Sequence, residues 1–167
     1  MKCGLLGEKL GHSYSPRIHA ELSDYEYLLY EKTPDEVESF VREGNWHGLN
    51  VTIPYKKTVI PFCDELTELA KQIGSVNTLL RRPDGSILGD NTDAYGFETL
   101  LQKTGFVPEG KKALVLGSGG ASATVCACLR LHGAEVVVVS RSGEINYRNV
   151  SELHSDAALI VNTTPHC

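Results

Sequence analysis

The stretch that most constrains the fold is Lys111–Arg141, KKALVLGSGGASATVCACLRLHGAEVVVVSR. Ala113–Leu116 is a short apolar run of the kind buried in a parallel strand, and Val136–Val139 is a second, made wholly of valine. Branching at Cβ stiffens χ1 and suits the pleated surface of a sheet. Between the two runs, Ser122–His132 has the length and small-residue content of a helix, and Gly133 stops it. Strand, helix and strand at this spacing predict a βαβ unit, whose parallel strands are joined by a right-handed crossover.

The turn inside that unit, Gly117-Ser118-Gly119-Gly120-Ala121, has the composition of a phosphate cradle. Gly117 permits a sharp exit from the strand. Gly119 has no Cβ, so a pyrophosphate can approach the backbone. The unpaired N–H groups and positive dipole end of the following helix then favour an anion. The last position of the G-x-G-x-x-G pattern is Ser122, small but not glycine. Such a turn also serves as a plain tight turn; its place after a strand and before a helix is what favours a cofactor. Sites for NAD usually carry Asp or Glu at the end of the second strand, to bond the ribose 2′-OH. This chain has Ser140-Arg141-Ser142 there. A guanidinium binds a 2′-phosphate in a bidentate way, and flanking hydroxyls add bonds, so the expected cofactor is NADP. The plainer alternative is that Arg141 is a solvated charge at a strand end.

At 167 residues the chain is one large domain or two small ones. Its net charge of −5, without a run of Lys or Arg, argues against nucleic acid as a partner. No apolar run approaches the ~18 residues of a membrane span. The opening MKCGLLGEKLGHSYSP is too broken by glycine and charge to be a signal peptide. Cys3, Cys63, Cys126, Cys128 and Cys167 form no C-x-x-C and are odd in number, so reduced thiols and a cytoplasmic location are expected. Six His without an H-E-x-x-H or similar cluster predict no metal site.

In chain order, Lys2–Leu6 reads as a strand, followed by a loop and a helix capped by Ser15 with Pro16 at its first turn, running to about Ser23. Tyr25–Lys32 is a second strand. Pro34 opens a helix with acids in its first turns and Gly44 just past its end. Gly48–Ile53 is a third strand, and Pro54 begins a helical stretch broken at Pro61. Thr67–Ile73 is a helix ended by Gly74. Val76–Arg82 and Ile87–Gly89 flank the hairpin turn PDGS. A helix over Ala94–Thr104 places Phe97, Leu100 and Leu101 on one face. Ala158–Val161 is a further apolar strand.

Four polar clusters interrupt this alternation. They are Ser13-Tyr14-Ser15-Pro16, Asn50-Val51-Thr52-Ile53-Pro54-Tyr55-Lys56, Gly74-Ser75-Val76-Asn77-Thr78 and Gly89-Asp90-Asn91-Thr92-Asp93. Each alone has an ordinary explanation: an N-cap, a solvated lysine, a turn. Together they resemble the shikimate dehydrogenase family. The matching pieces are S-x-S-P at Ser13–Pro16, N-V-T-x-P-x-K at Asn50–Lys56, the run Asp64–Thr78, G-D-N-T-D-x-x-G at Gly89–Gly96 and G-S-G-G-A at Gly117–Ala121. They stand in family order, at family-like spacing, over nearly the whole chain.

The resemblance implies an α/β chain with an N-terminal α/β substrate domain, residues 1–94, followed by a partial Rossmann-like dinucleotide-binding domain, residues 95–167, and a cleft near Asp93–Tyr95. It implies NADP-dependent, reversible reduction of 3-dehydroshikimate to shikimate, a step of aromatic amino-acid biosynthesis. By the family pattern Ser13 and Ser15 bind the substrate carboxylate, Thr52, Asn77 and Asp93 bond the ring hydroxyls, and Lys56 and Asp93 form the catalytic pair. Gly117, Ser118, Gly119, Gly120 and Ala121 take the pyrophosphate, and Ser140, Arg141 and Ser142 the 2′-phosphate. Asn162, Thr163 and Thr164 match the family's loop beside the nicotinamide. The family continues past that loop with an apolar residue and Gly-Met, where this chain has His166-Cys167 and stops. The expectation is therefore a chain with only the first half of the dinucleotide fold, truncated or covered along its open sheet edge by a second copy or a partner. A non-catalytic NADP- or shikimate-binding module and a quinate/shikimate dehydrogenase are the alternative functions.

Overall fold

The computed structural model describes residues 1–11, 13–22 and 24–164. Ser23, the expected end of the first helix, and Pro165, His166 and Cys167 lie outside the described residues. The chain divides after Thr92 into two compact units.

The first unit is built on a six-stranded mixed sheet in the order β2-β1-β3-β5-β6-β4. Its strands are β1 (Lys2–Gly7), β2 (Glu26–Glu31), β3 (Gly48–Val51), β4 (Glu65–Leu66), β5 (Thr78–Arg81) and β6 (Ile87–Asp90). β2, β1 and β3 are parallel, and the β5–β6 hairpin is antiparallel to β3. The crossovers between the parallel strands carry α1 (Ser15–Leu22) and α2 (Pro34–Glu43). α3 (Glu68–Ile73) precedes the hairpin. Strand alternation sends Leu49 and Val51 into the core and leaves Gly48 and Asn50 on the other face. α2 meets that core through Val37 and Val41, one turn apart and fully buried. Each such side chain contributes about 1.5–3 kcal/mol relative to exposure.

The ends of α2 show how local chemistry fixes a helix. Glu36 accepts from the Thr33 N–H and the Thr33 hydroxyl, both at 2.9 Å, which closes the N-terminus. At the C-terminus, Arg81 donates to the Val41 carbonyl at 2.7 Å and lies 4.2 Å from the Trp46 ring centroid. Gly44 does not end the helix by a left-handed turn: its φ is −62°. A Cβ there would run into the Phe40 carbonyl oxygen, so close approach is what demands glycine. Gly74, by contrast, ends α3 in the left-handed region at φ 66°.

One expectation fails here, and one strand had no reading in the sequence. Residues 53–59 form successive turns, and only Ile60–Phe62 closes as a 3₁₀ turn. With Pro54 and Pro61 both lacking an N–H, so short a segment has too few donors for an α ladder. β4 has only two residues, too few to display any period in the sequence.

The second unit contains α4 (Asp93–Thr104), β7 (Lys112–Leu116), α5 (Gly120–Leu131), β8 (Glu135–Val139), α6 (Val150–Leu153) and β9 (Leu159–Asn162). Leu101 of α4, Ala113 and Val115 of β7, and Val125 and Leu129 of α5 share its core. Leu100, expected on the apolar face of α4, is 60% exposed. The sheet order is β8-β7-β9, all parallel. A half wound in one direction would add the third strand outside β8. Here the chain returns across β7, so the winding reverses, and such a reversal opens a crevice at the carboxyl ends of the two strands beside it.

Candidate functional sites

In the first unit the polar clusters collect where β1 and β3 end. Ser13 follows β1 through a loop that Glu31 anchors, its carboxylate accepting from the Leu10 N–H at 2.6 Å. The Ser13 hydroxyl oxygen accepts from the Ser15 N–H at 3.2 Å, satisfying the first N–H of α1, and Ser15, expected as the N-cap, is itself the first helical residue. Thr52 continues β3, donating its N–H to the Leu6 carbonyl at 2.9 Å. Lys56 is half-buried in the turn beyond, and its carbonyl accepts from the Val76 N–H at 2.8 Å. The Val51 N–H donates to the Asn77 carbonyl at 2.7 Å. These two backbone bonds join the Asn50–Lys56 segment to the Gly74–Thr78 segment.

Asn77 is 6% exposed, and its side chain is a hub. Its Oδ1 accepts from the Thr92 N–H at 2.8 Å, the Thr92 hydroxyl at 3.1 Å and the Thr78 hydroxyl at 2.9 Å. The hairpin makes this possible, because β5 and β6 pair Thr78 with Asp90. With Oδ1 occupied, the Asn77 amide has its N–H donors to offer a ligand. Lys56 belongs to the first unit, while Asp93 is the first helical residue of the second.

A pocket of about 270 Å³ opens on the sheet face opposite α2, lined by His19, Tyr25, Tyr27, Asn50, Thr78 and Asp90 among others. Tyr27 is a residue that sequence reasoning passed over, since it belongs to no motif. Its hydroxyl donates to Asn50 Oδ1 at 2.8 Å.

In the second unit the three candidate cofactor segments follow three parallel strands at the same end of one sheet. Gly117 leaves β7 at φ 107°, and a Cβ there would lie 2.9 Å from Thr163 Oγ1. Thr163 closes onto the same strand: its N–H and hydroxyl both donate to the Leu116 carbonyl, at 2.9 and 2.7 Å. Gly117 and Thr163 thus touch across the β7–β9 reversal. Gly119 is the N-cap of the 12-residue α5, and space beside it is open, with nothing within 4 Å of an added Cβ. The first turn, with Gly120 and Ala121, presents its N–H groups there. Beyond β9, Asn162 Oδ1 accepts from the Thr164 N–H at 3.0 Å and its hydroxyl at 2.8 Å.

After β8, Ser140, Arg141 and Ser142 enter a compact loop. Ser140 N–H donates to the Ile145 carbonyl at 3.1 Å, Asn146 N–H to Asn149 Oδ1 at 2.8 Å and Arg148 N–H to Asn146 Oδ1 at 3.0 Å. The loop brings Arg148 beside Arg141, and both line a pocket of about 380 Å³ with Asn146 and Tyr147. Arg148 had no signal in the sequence; it lies seven positions past Arg141 and outside any helical or strand period. Among the described residues no three His, Cys, Asp or Glu cluster to hold a metal, and no helix is long and apolar enough to cross a membrane.

These arrangements have counterparts in known proteins. Residues 5–79 match the family model of the shikimate dehydrogenase substrate binding domain. A shikimate dehydrogenase (NADP(+)) of Clostridium beijerinckii is 37% identical, over 97% of this chain and 67% of its own length. That of Halothermothrix orenii is 42% identical, over 83% of this chain and 51% of its own. Among solved structures, a chorismate mutase/shikimate 5-dehydrogenase fusion protein from Clostridium acetobutylicum superposes with a TM-score of 0.87 at 38% identity, over 98% of this chain and 66% of that one. The Thermus thermophilus shikimate 5-dehydrogenase in complex with NADP(H) and shikimate gives 0.78 at 31%, over 98% and 68%. The chain spans about half to two thirds of the length of these relatives. With a fold shared over nearly all its length and this level of identity, the chain belongs to the shikimate dehydrogenase family.

Proposed function

We propose that the chain binds shikimate through its first unit and NADP through its second, and carries the NADP-dependent, reversible reduction of 3-dehydroshikimate to shikimate. The observation that carries this reading is positional. The polar segments of the first unit are tied together where β1 and β3 end, and the glycine turn, the arginine loop and Asn162–Thr164 all follow the carboxyl ends of β7, β8 and β9. The residues present fit NADP. Gly119 leaves room against the backbone at a helix N-terminus, and Arg141 with Arg148 supplies two guanidinium groups for a 2′-phosphate.

When bound, the cofactor supplies a hydride to the substrate carbonyl carbon. Negative charge then grows on the carbonyl oxygen, where a cation and a proton donor lower the barrier. The Lys56 ammonium fills both roles, and in the oxidative direction the neutral amine accepts the alcohol proton. Asp93 is assigned to the same reacting hydroxyl. Ser13 and Ser15 at the start of α1 take the substrate carboxylate, Thr52 bonds a ring hydroxyl and Asn77 offers its amide N–H to another. Thr163 and Thr164 border the nicotinamide.

The test is absorbance at 340 nm with shikimate and NADP⁺, repeated with quinate and with NAD⁺. Turnover with shikimate and NADP⁺ is expected. Binding of both ligands without turnover would favour a binding module, and absence of binding would overturn the reading.

A further inference from the structure

The pocket on the open face of the first sheet contains an aromatic cluster that no motif accounts for. Tyr27 on β2 and Asn50 on β3 flank β1, in register with Cys3 and Leu5, and project from the same face of the sheet. The Tyr27 ring reaches across β1, and its hydroxyl donates to Asn50 Oδ1 at 2.8 Å. Behind the phenol, the His19 ring lies stacked on the Tyr27 ring, 3.8 Å between centroids and 11° from parallel. The other side of His19 is held by the Tyr25 hydroxyl at Nδ1. An Asn side chain has two nearly isosteric orientations that differ only in whether oxygen or nitrogen meets a given neighbour. A fixed donor at one end removes that freedom.

We propose that Tyr27 is a positioning residue of the substrate site, whose hydroxyl locks the Asn50 amide with its N–H donors toward the ligand. This deepens, and rests on, the reading that the Ser13–Pro16 and Asn50–Lys56 segments hold one small polyhydroxy acid. Burial pushes the Tyr27 phenol up to about 12, so the phenol stays a proton donor across the physiological range. The stack on His19 keeps the ring in place without depending on the hydroxyl. Tyr27→Phe therefore removes the donor and leaves the packing.

Two readouts on the full chain decide the matter. The first needs no ligand. In a ¹⁵N spectrum the Asn50 side-chain amide pair is identified as the one that Asn50→Ala deletes. Tyr27→Phe is expected to shift and broaden that pair, and an unmoved pair would overturn the proposal. The second is shikimate titration by calorimetry. Tyr27→Phe alone is expected to weaken binding roughly 2- to 12-fold, the range of one hydrogen bond. In the Asn50→Ala background the same change is expected to do almost nothing, because its effect passes through Asn50. Equal losses in both backgrounds would overturn the positioning role. If the unsubstituted chain takes up no shikimate, the substrate reading falls, and the amide resonance still decides whether Tyr27 sets Asn50.

Discussion

Asn77 and Thr92 are locked together: one side-chain oxygen takes both the backbone N–H and the hydroxyl of the threonine, at 2.8 and 3.1 Å. The bond closes the open end of the β5–β6 hairpin, joining the residue before β5 to a residue just past β6, one position before Asp93. Asn77→Ala removes these bonds from an exposed Thr92, whose donors can turn to water, and is expected to cost about 0.5–1.5 kcal/mol in urea unfolding. Asn77→Asp keeps the acceptor and loses the amide N–H. It is expected to hold its urea midpoint near that of the parent while calorimetry shows weakened shikimate binding.

Lys56→Ala tests the assignment of the acid/base group. Loss of such a group lowers the rate on the order of 10²–10⁴-fold. The variant is expected to lose that much turnover at 340 nm and to bind NADP as before. Lost NADP binding on titration would remove Lys56 from its assigned role.

Arg141→Ala and Arg148→Ala separate the two dinucleotides. A hydrogen bond to a charged group contributes about 1.5–3 kcal/mol, so each variant is expected to weaken NADP roughly 10- to 150-fold. NAD, which lacks the 2′-phosphate, is expected to change little. Equal losses for both cofactors would mean that the arginines shape the loop rather than read the phosphate.

Gly117→Ala puts a side chain where φ is 107° and Thr163 Oγ1 stands 2.9 Å away. Both the backbone and the neighbour resist it, and a left-handed position filled by alanine costs on the order of 1 kcal/mol or more. A lowered thermal midpoint and weaker NADP binding are expected together. Gly119→Ala, with open space around its Cβ and an extended backbone, is expected to fold normally and to weaken NADP alone.

The N-terminal cap of α2 predicts an acid limb of stability. The Thr33 backbone N–H, then its hydroxyl, then Lys32 hold the Glu36 carboxyl below its ordinary value of 4.5. Below that value the unfolded state takes up the proton first, so stability falls as pH drops toward the lowered folded value, and it is fully present above 4.5. Urea midpoints from pH 3 to 6 are expected to fall less steeply in Glu36→Gln than in the parent. Parallel curves would mean that Glu36 contributes nothing through its charge.

The elements were legible because each had a local cause. Pro34 with the following acids marked the start of α2, Gly74 the end of α3, PDGS the hairpin, and the valines of 136–139 the buried strand. Where the local cause was absent, so was the signal. β4 has two residues, and the turns of 53–59, with Pro54 inside them and Pro61 just beyond, have no period. The motif segments stood out as text, yet Tyr27 and Arg148 did not, because neither takes part in a pattern along the chain.

The sequence by itself determined the alternation of strands and helices, the glycine turn opening a helix and membership of a family, since these depend on backbone propensity, side-chain period and order. Only the tertiary structure decided that β9 returns beside β7, that Thr163 closes on Gly117, that Arg148 joins Arg141 and that Tyr27 reaches Asn50 across an intervening strand. Those relations come from strand pairing and loop closure between distant residues. Their free energy is gained only once the sheet has formed, and no local stretch of chain encodes it.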